Sequence, residues 1–166
     1  MADLITHMCT AFLLKSVTRR SYTPVFVAGV VLPDLLSRVP SMGLSFLQRE
    51  GLAVPDALIY CWTPMHLPAG ILLWSIALAA LGDMIRPGVG RAWFLNLLGG
   101  AALHLGVDLL QSHYTGGYLL GFPWSAQPFE FAWIGSEATV WLALPLALFT
   151  FWVWRRGSNT SPSPAH

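Results

Sequence analysis

The stretch AWFLNLLGGAALHLGVDLLQ, residues 92–111, decides how this chain is read. At about 1.5 Å per residue it reaches across a hydrocarbon core of roughly 30 Å, and its few polar residues include Asn96, His104 and Asp108. Segments 65–82 and 137–154 have similar length and character, so all three are expected to be crossing helices. Two shorter apolar segments, 4–17 and 24–37, flank the basic polar turn Thr18–Thr23, with Pro24 suited to the first position of the second helix. They are expected to form a hairpin of two short spans, the alternative being a partly re-entrant hairpin held against the other helices.

Composition agrees. Of 166 residues, 55% are hydrophobic and 10% charged, against roughly 45–50% and 25% for soluble domains. With eight Trp and a mean hydropathy of +0.58, this much apolar surface cannot all be hidden in one small core. Lipid is therefore the expected solvent, which excludes an ordinary cytosolic enzyme. The net charge is +1, and the basic runs are no longer than Arg19-Arg20 and Arg155-Arg156. That offers no footprint for nucleic acid.

The expected architecture is all-α: an integral membrane helical bundle of about five transmembrane helices, the first two short. Residues 1–156 form one domain, and the Ser/Pro-rich stretch 157–166 reads as a disordered polar tail. The amino-terminal segment places Asp3 before its apolar run and Lys15, Arg19 and Arg20 after it. This is the reverse of a secretory signal peptide, so the segment is expected to be a mature helix. Cys9 and Cys61 form no CxxC pair and read as small apolar fillers. Residues 38–62 and 112–136, rich in Gly, Pro and aromatics, are expected to be structured loops at the membrane interface, the first carrying a short amphipathic turn.

Topology follows from Lys and Arg, which are retained on the cytoplasmic side. Five spans gather Lys15, Arg19, Arg20, Arg86, Arg91, Arg155 and Arg156 on one side and only Arg38 and Arg49 on the other. The amino terminus is then outside, the carboxyl terminus inside, and the two long loops face outward. The expected location is a bacterial inner membrane, crossed several times.

Ionisable groups within apolar segments are costly in lipid and point to function. In this topology His7, Asp34, His66, His104 and Asp108 all fall near the outer leaflet, although Lys and Arg alone set the orientation. His104 and Asp108, four residues apart, share one helix face. Imidazole and carboxylate together suit a divalent metal, zinc first and iron or manganese as alternatives. Each residue also has a plainer reading. His104 and Asp108 can hydrogen-bond each other, Asp34 can pair with Arg38, and His7 can be an interfacial hydrogen-bonding residue. His113 reads as a further ligand, a proton shuttle or a solvent-exposed residue. Glu137, with Ser136, reads as the start of the last helix, where a carboxylate meets the positive end of the dipole. Ala102 and Gly106 offer a small-residue contact to another helix. There is no GxSxG and no evident nucleophile paired with a base.

The motifs taken in order are Thr6-His7, Leu32-Pro33-Asp34, His66 after Thr63-Pro64, the segment from His104 through Asp108 to Leu110, and Gly121-Phe122-Pro123-Trp124-Ser125. Over most of residues 3–127 this resembles the bacterial and archaeal membrane-bound, metal-dependent hydrolases, also called LexA-binding, inner-membrane-associated hydrolases. The resemblance implies a helical membrane protein with a His/Asp metal centre at His7, Asp34, His66, His104 and Asp108. The chain departs from that pattern in two places. Leu36 stands where a second acidic residue is usual, and Ile59 through Met65 lacks a His-Arg-Gly segment.

Three readings follow. The first is a metal-dependent hydrolase acting on an ester or phosphoester of a membrane lipid or amphiphile, with Asp34 and Asp108 as catalytic carboxylates. One of them serves as general base or orients a ligand histidine. The second, motivated by the two departures, is a non-catalytic accessory subunit of a larger membrane protein complex. The third is a transporter or proton relay, opposed by the clustering of polar groups at one leaflet.

Overall fold

A computed structural model describes residues 4–18, 22–112, 116–135 and 138–159. Their order is α1 (Leu4–Thr18), α2 (Thr23–Arg49), α3 (Asp56–Tyr60), a 3₁₀ turn (Thr63–His66), α4 (Pro68–Ile85), α5 (Gly90–Leu109) and α6 (Ala138–Asn159). Among the described residues, α2, α4 and α5 are the helices long and apolar enough to cross a membrane, and α1 is a shorter apolar helix.

The largest departure from expectation is in α2. Pro40 and Gly43 read as the start of a loop, because proline lacks an N–H and disfavours helix at the residue before it. The helix instead runs on through Pro33 and Pro40 for 27 residues, about 40 Å at 1.5 Å per residue. The second span is therefore not short. Ser37 and Ser41 donate back to the carbonyls of Pro33 and Ser37, each at 2.7 Å. The prolines themselves free the carbonyls of Gly29 and Leu36, four residues earlier, and packing against neighbouring helices keeps the segment helical there.

α2 lies mainly against α5, α4 packs against α5, and α1 packs against α2 and α6. Between apolar helices in lipid the hydrophobic effect is absent, so close approach and dispersion must hold them together. Two glycines make the approach possible. A Cβ on Gly29 would run into the Leu97 backbone, and one on Gly100 would run into the Phe26 carbonyl and the Val30 nitrogen. Above this crossing Ile71, Trp74, Leu97 and Ala101 join α4 to α5, while Ala11, Phe26 and Val30 join α1 to α2.

The contact expected through Ala102 and Gly106 is not made, and both residues are exposed. Two residues from Gly100 is about 200° around a helix, so Ala102 points away from α2. The bundle's exterior is apolar: Leu73, Ile76, Trp141, Leu144 and Leu148 are all half exposed or more. Cys9 is a buried filler as expected, whereas Cys61 is exposed.

Two of the nine basic residues used for topology, Lys15 and Arg38, make contacts inside the bundle. Lys15 is buried, with Nζ 3.1 Å from Asn96 Oδ1 and 4.7 Å from the Phe26 ring centre. Arg38 lies inside α2 and pairs with Asp34. Arg19 and Arg20 lie outside the described residues, as does most of the expected tail.

The connection from α5 to α6 is irregular but pinned. Phe131 and Ile134 donate to the carbonyls of Leu109 and Leu110 at 2.8 and 2.9 Å, and Tyr118 and Phe129 exchange two backbone bonds of 3.0 Å. Gly117 sits at φ 111°, where a side chain would also strike the Phe129 carbonyl. Only glycine is tolerated there. The turn it permits carries Tyr118 back over the end of α5.

Candidate metal centre

Four elements and one loop deliver polar side chains to a single point. α1 supplies His7, α2 supplies Asp34, Ser37 and Arg38, and the 3₁₀ turn supplies His66. α5 supplies His104 and Asp108, and the returning loop supplies Tyr118. His7, His104 and Asp108 have no solvent-accessible surface, and His66 and Asp34 are buried. On α5 the spacing of four residues stacks His104 over Asp108, while Gly100, one turn earlier, lets α2 come close enough for Asp34 to face them.

Asp108 is the hub. Its carboxylate lies 3.2 Å from His7 Nε2, 3.1 Å from His66 Nε2 and 3.4 Å from His104 Nε2. Tyr118 Oη donates to its Oδ2 at 2.6 Å. Asp34 Oδ1 stands further back, 3.6 Å from His66 Nδ1 and 3.8 Å from His104 Nε2. It is ion-paired with Arg38 Nε at 2.8 Å, in an orientation too oblique for a hydrogen bond. The His7 and His104 rings stack with centres 3.9 Å apart, and His66 meets His104 edge-on at 4.8 Å.

Hydrogen bonding alone leaves this cluster poorly satisfied. Both ring nitrogens of His7 and both of His104 are buried with no hydrogen-bond partner, a cost of roughly 1–3 kcal/mol for each such group. Ser37 gives its hydroxyl hydrogen to the Pro33 carbonyl and lies 3.5 Å from His66 Nδ1, while the other ring nitrogen, Nε2, stands 3.1 Å from Asp108 Oδ2.

The donor set fits a cation. His7, Asp34 and His104 form one group, and His66, His104 and Asp108 form another, with the ligand atoms of each lying within 4.8 Å of one another. A tetrahedral ion with bonds of about 2.0–2.1 Å needs ligand atoms roughly 3.3–3.4 Å apart; His66 Nε2 and His104 Nε2 lie 3.1 and 3.4 Å from Asp108 Oδ2, and His7 Nε2 lies 3.2 Å from the other oxygen, Oδ1. His66 also has groups behind its second nitrogen, the outer partner arrangement that orients ligating histidines. These buried His/Asp groups can therefore hold a metal ion.

All five residues singled out in the sequence meet here. The pairing of Asp34 with Arg38 is present as well, without removing Asp34 from the cluster. His113, Ser136 and Glu137 lie outside the described residues. Tyr118 and Ser37 were missed. Ser37 carries a readable signal, three residues from Asp34 on the same helix face, whereas Tyr118 sits in an aperiodic loop. Burial, then the neighbouring Asp108 carboxylate, push the Tyr118 phenol above its ordinary range, so it remains a donor. Tyr118→Phe removes that charge-assisted bond, and equilibrium dialysis against zinc should show affinity falling about tenfold, at the low end for an outer partner of a metal ligand.

No protein-family profile, curated protein or solved structure matches the chain. What stands independently is a helical protein with apolar helices and a buried His/Asp cluster.

Proposed function

We propose that this is a multi-pass protein of a bacterial inner membrane and a metal-dependent hydrolase, cleaving an ester or phosphoester of a lipid or amphiphile. Its amino terminus lies outside and its carboxyl terminus inside. The observation that carries the reading is the approach of three imidazole nitrogens to the Asp108 carboxylate at 3.1–3.4 Å, with the rings of His7 and His104 otherwise unpartnered. His7, His66, His104 and Asp108 are the proposed ligands of a divalent ion, zinc first and iron or manganese as alternatives. When bound, such an ion supplies Lewis acidity and lowers the pKa of water.

The side chains do the rest. Asp108 brings an anionic oxygen to the ligand set, and Tyr118 fixes its orientation. Asp34 lies behind His66 and beside His104, suited to orient an imidazole or to accept a proton from attacking water. In the reaction, water oxygen bonds to the acyl carbon or phosphorus. The ester oxygen leaves with its bonding pair and takes up a proton. Burial of the cluster keeps bulk water away and strengthens every charge interaction within it.

The test is hydrolysis of an ester and phosphoester panel by detergent-purified protein, treated with chelator and then resupplied with zinc, iron or manganese. Activity should return with one of these ions and be absent from His104→Ala/Asp108→Ala. Full activity in that double variant overturns the reading. The accessory-subunit reading has its own support in Trp124 and Trp133, which are 90% and 75% exposed on the loop beside the site and form an anchor suited to a partner protein. A stoichiometric partner co-purifying with metal-free protein would favour it.

A further inference from the structure

A cavity of about 340 Å³ opens beside the His/Asp cluster, between α2, the 3₁₀ turn and the returning loop. His66 and Tyr118 form the wall it shares with the cluster, and Arg38, Thr63 and Met42 lie around the rest. Its volume is at the low end of small-molecule sites, roughly 300–1,000 Å³. That suits one compact head group and little more.

Its charge is one-sided. Among the described residues Arg38 is the permanently charged side chain in the lining, and no carboxylate lines it. Asp34, on the cluster side, lies 2.8 Å from the guanidinium Nε and draws that end of the side chain toward the cluster by charge. A planar, always-charged fork matches the oxygens of a phosphate better than any other side chain does. With a divalent ion in place, the two carboxylates balance the ion and Arg38 adds the remaining positive charge. The site then attracts an anion instead of repelling it.

The lining also points outward to lipid. Met42 belongs to a row on α2, Leu35, Val39, Met42 and Phe46, spaced as one helix face and exposed along its length. An apolar chain attached to a head group in the cavity has a continuous path along that row.

We propose that this cavity is a phosphoryl-binding subsite centred on Arg38, which selects a phosphate-bearing substrate and presents it to the adjacent His/Asp cluster. Arg38 is a binding residue, and Thr63 supplies a second donor. The proposal deepens the hydrolase reading and rests on it for the role of the cluster, but binding to Arg38 can be measured without turnover.

The experiment is isothermal titration of detergent-purified protein with dioctanoyl phosphatidate, dioctanoylglycerol and inorganic phosphate, with metal content measured on the same samples. Phosphatidate should bind, dioctanoylglycerol should bind at least about tenfold more weakly, and Arg38→Gln should weaken phosphatidate about tenfold or more, the scale of a charge-assisted hydrogen bond to phosphate. Met42→Trp, which narrows the cavity from an exposed position and leaves the Arg38 and Asp34 side chains themselves in place, should weaken it similarly. Inorganic phosphate binding as tightly as phosphatidate, and equally dependent on Arg38, supports the subsite and assigns it a water-soluble phosphate. Equal affinity for phosphatidate and dioctanoylglycerol overturns the proposal, as does unchanged phosphatidate affinity in both variants. Arg38-dependent binding in protein that holds no metal leaves the subsite standing while the hydrolase reading fails. Metal-dependent hydrolysis of neutral esters with no phosphate binding does the opposite.

Discussion

Purified His104→Ala/Asp108→Ala protein should contain no metal above background, whereas wild-type protein prepared without an affinity-tag histidine run holds a near-stoichiometric amount of zinc, iron or manganese. The effect is expected to be large because the two residues between them reach His7, Asp34, His66 and Tyr118. Asp108 stands 3.1–3.4 Å from all three imidazole nitrogens, and His104 belongs to both candidate ligand groups. Loss of an outer partner alone weakens metal binding by roughly 10–100-fold, so loss of two direct ligands exceeds that. The helix itself should survive, since alanine is the best helix former and the crossing at Gly100 is untouched. Elemental analysis beside circular dichroism separates the two effects. A double variant that keeps wild-type metal would show that the ion, if any, sits elsewhere, and His104 and Asp108 would then be a hydrogen-bonded structural pair.

The second large effect belongs to the α2–α5 crossing. Gly99→Ala and Gly100→Ala are the same change on adjacent residues of one helix, and helix propensity favours both by roughly 0.8–1.0 kcal/mol. Their surroundings differ. A Cβ at Gly99 would stand 3.6 Å from the Phe26 ring, an ordinary contact, while one at Gly100 would penetrate the Phe26 carbonyl and crowd the Val30 nitrogen at 2.8 Å. A ring edge can yield, but the backbone of a packed helix cannot yield without moving the helix. Overpacking typically costs about 1–3 kcal/mol, and against backbone the upper part of that range applies, so at Gly100 the clash outweighs propensity.

Gly99→Ala should therefore leave the melting temperature in detergent unchanged or slightly raised, and Gly100→Ala should lower it by several degrees, at about 2–4 °C per kcal/mol for a chain of this size. Metal content should fall in Gly100→Ala as well, because the crossing sets the distance from Asp34 to His104. Equal melting temperatures for the two variants would mean that α2 and α5 do not meet at this point.

Much of this protein is legible from residue types and their spacing. Apolar content and the length of 92–111 are enough to expect helices suited to lipid, because a helix spanning hydrocarbon satisfies its own backbone and needs only apolar side chains. The pairing of His104 with Asp108 is equally local, since residues four apart share a face in any helix. His7, Asp34 and His66 could be ranked as candidates because ionisable groups in apolar segments are expensive.

Tertiary packing decided the rest. Residue spacing says which side chains share a helix face but not which faces meet, so Ala102 and Gly106 looked suitable for close approach, whereas α2 in fact meets α5 at Gly100. Prolines and glycine made residues 38–49 look like a loop, and contacts beyond the local chain keep them helical. That extension carries Ser41, Met42 and Phe46 alongside the site. Tyr118 lies in an irregular loop with no period to read, and it reaches Asp108 only because Gly117 turns the chain and backbone bonds to Phe129 hold it there. The meeting of five ionisable groups at one buried point is likewise a property of the packed bundle. Each group comes from a residue that is costly alone, and only the crossing of α2 and α5 brings their charges close enough to offset one another.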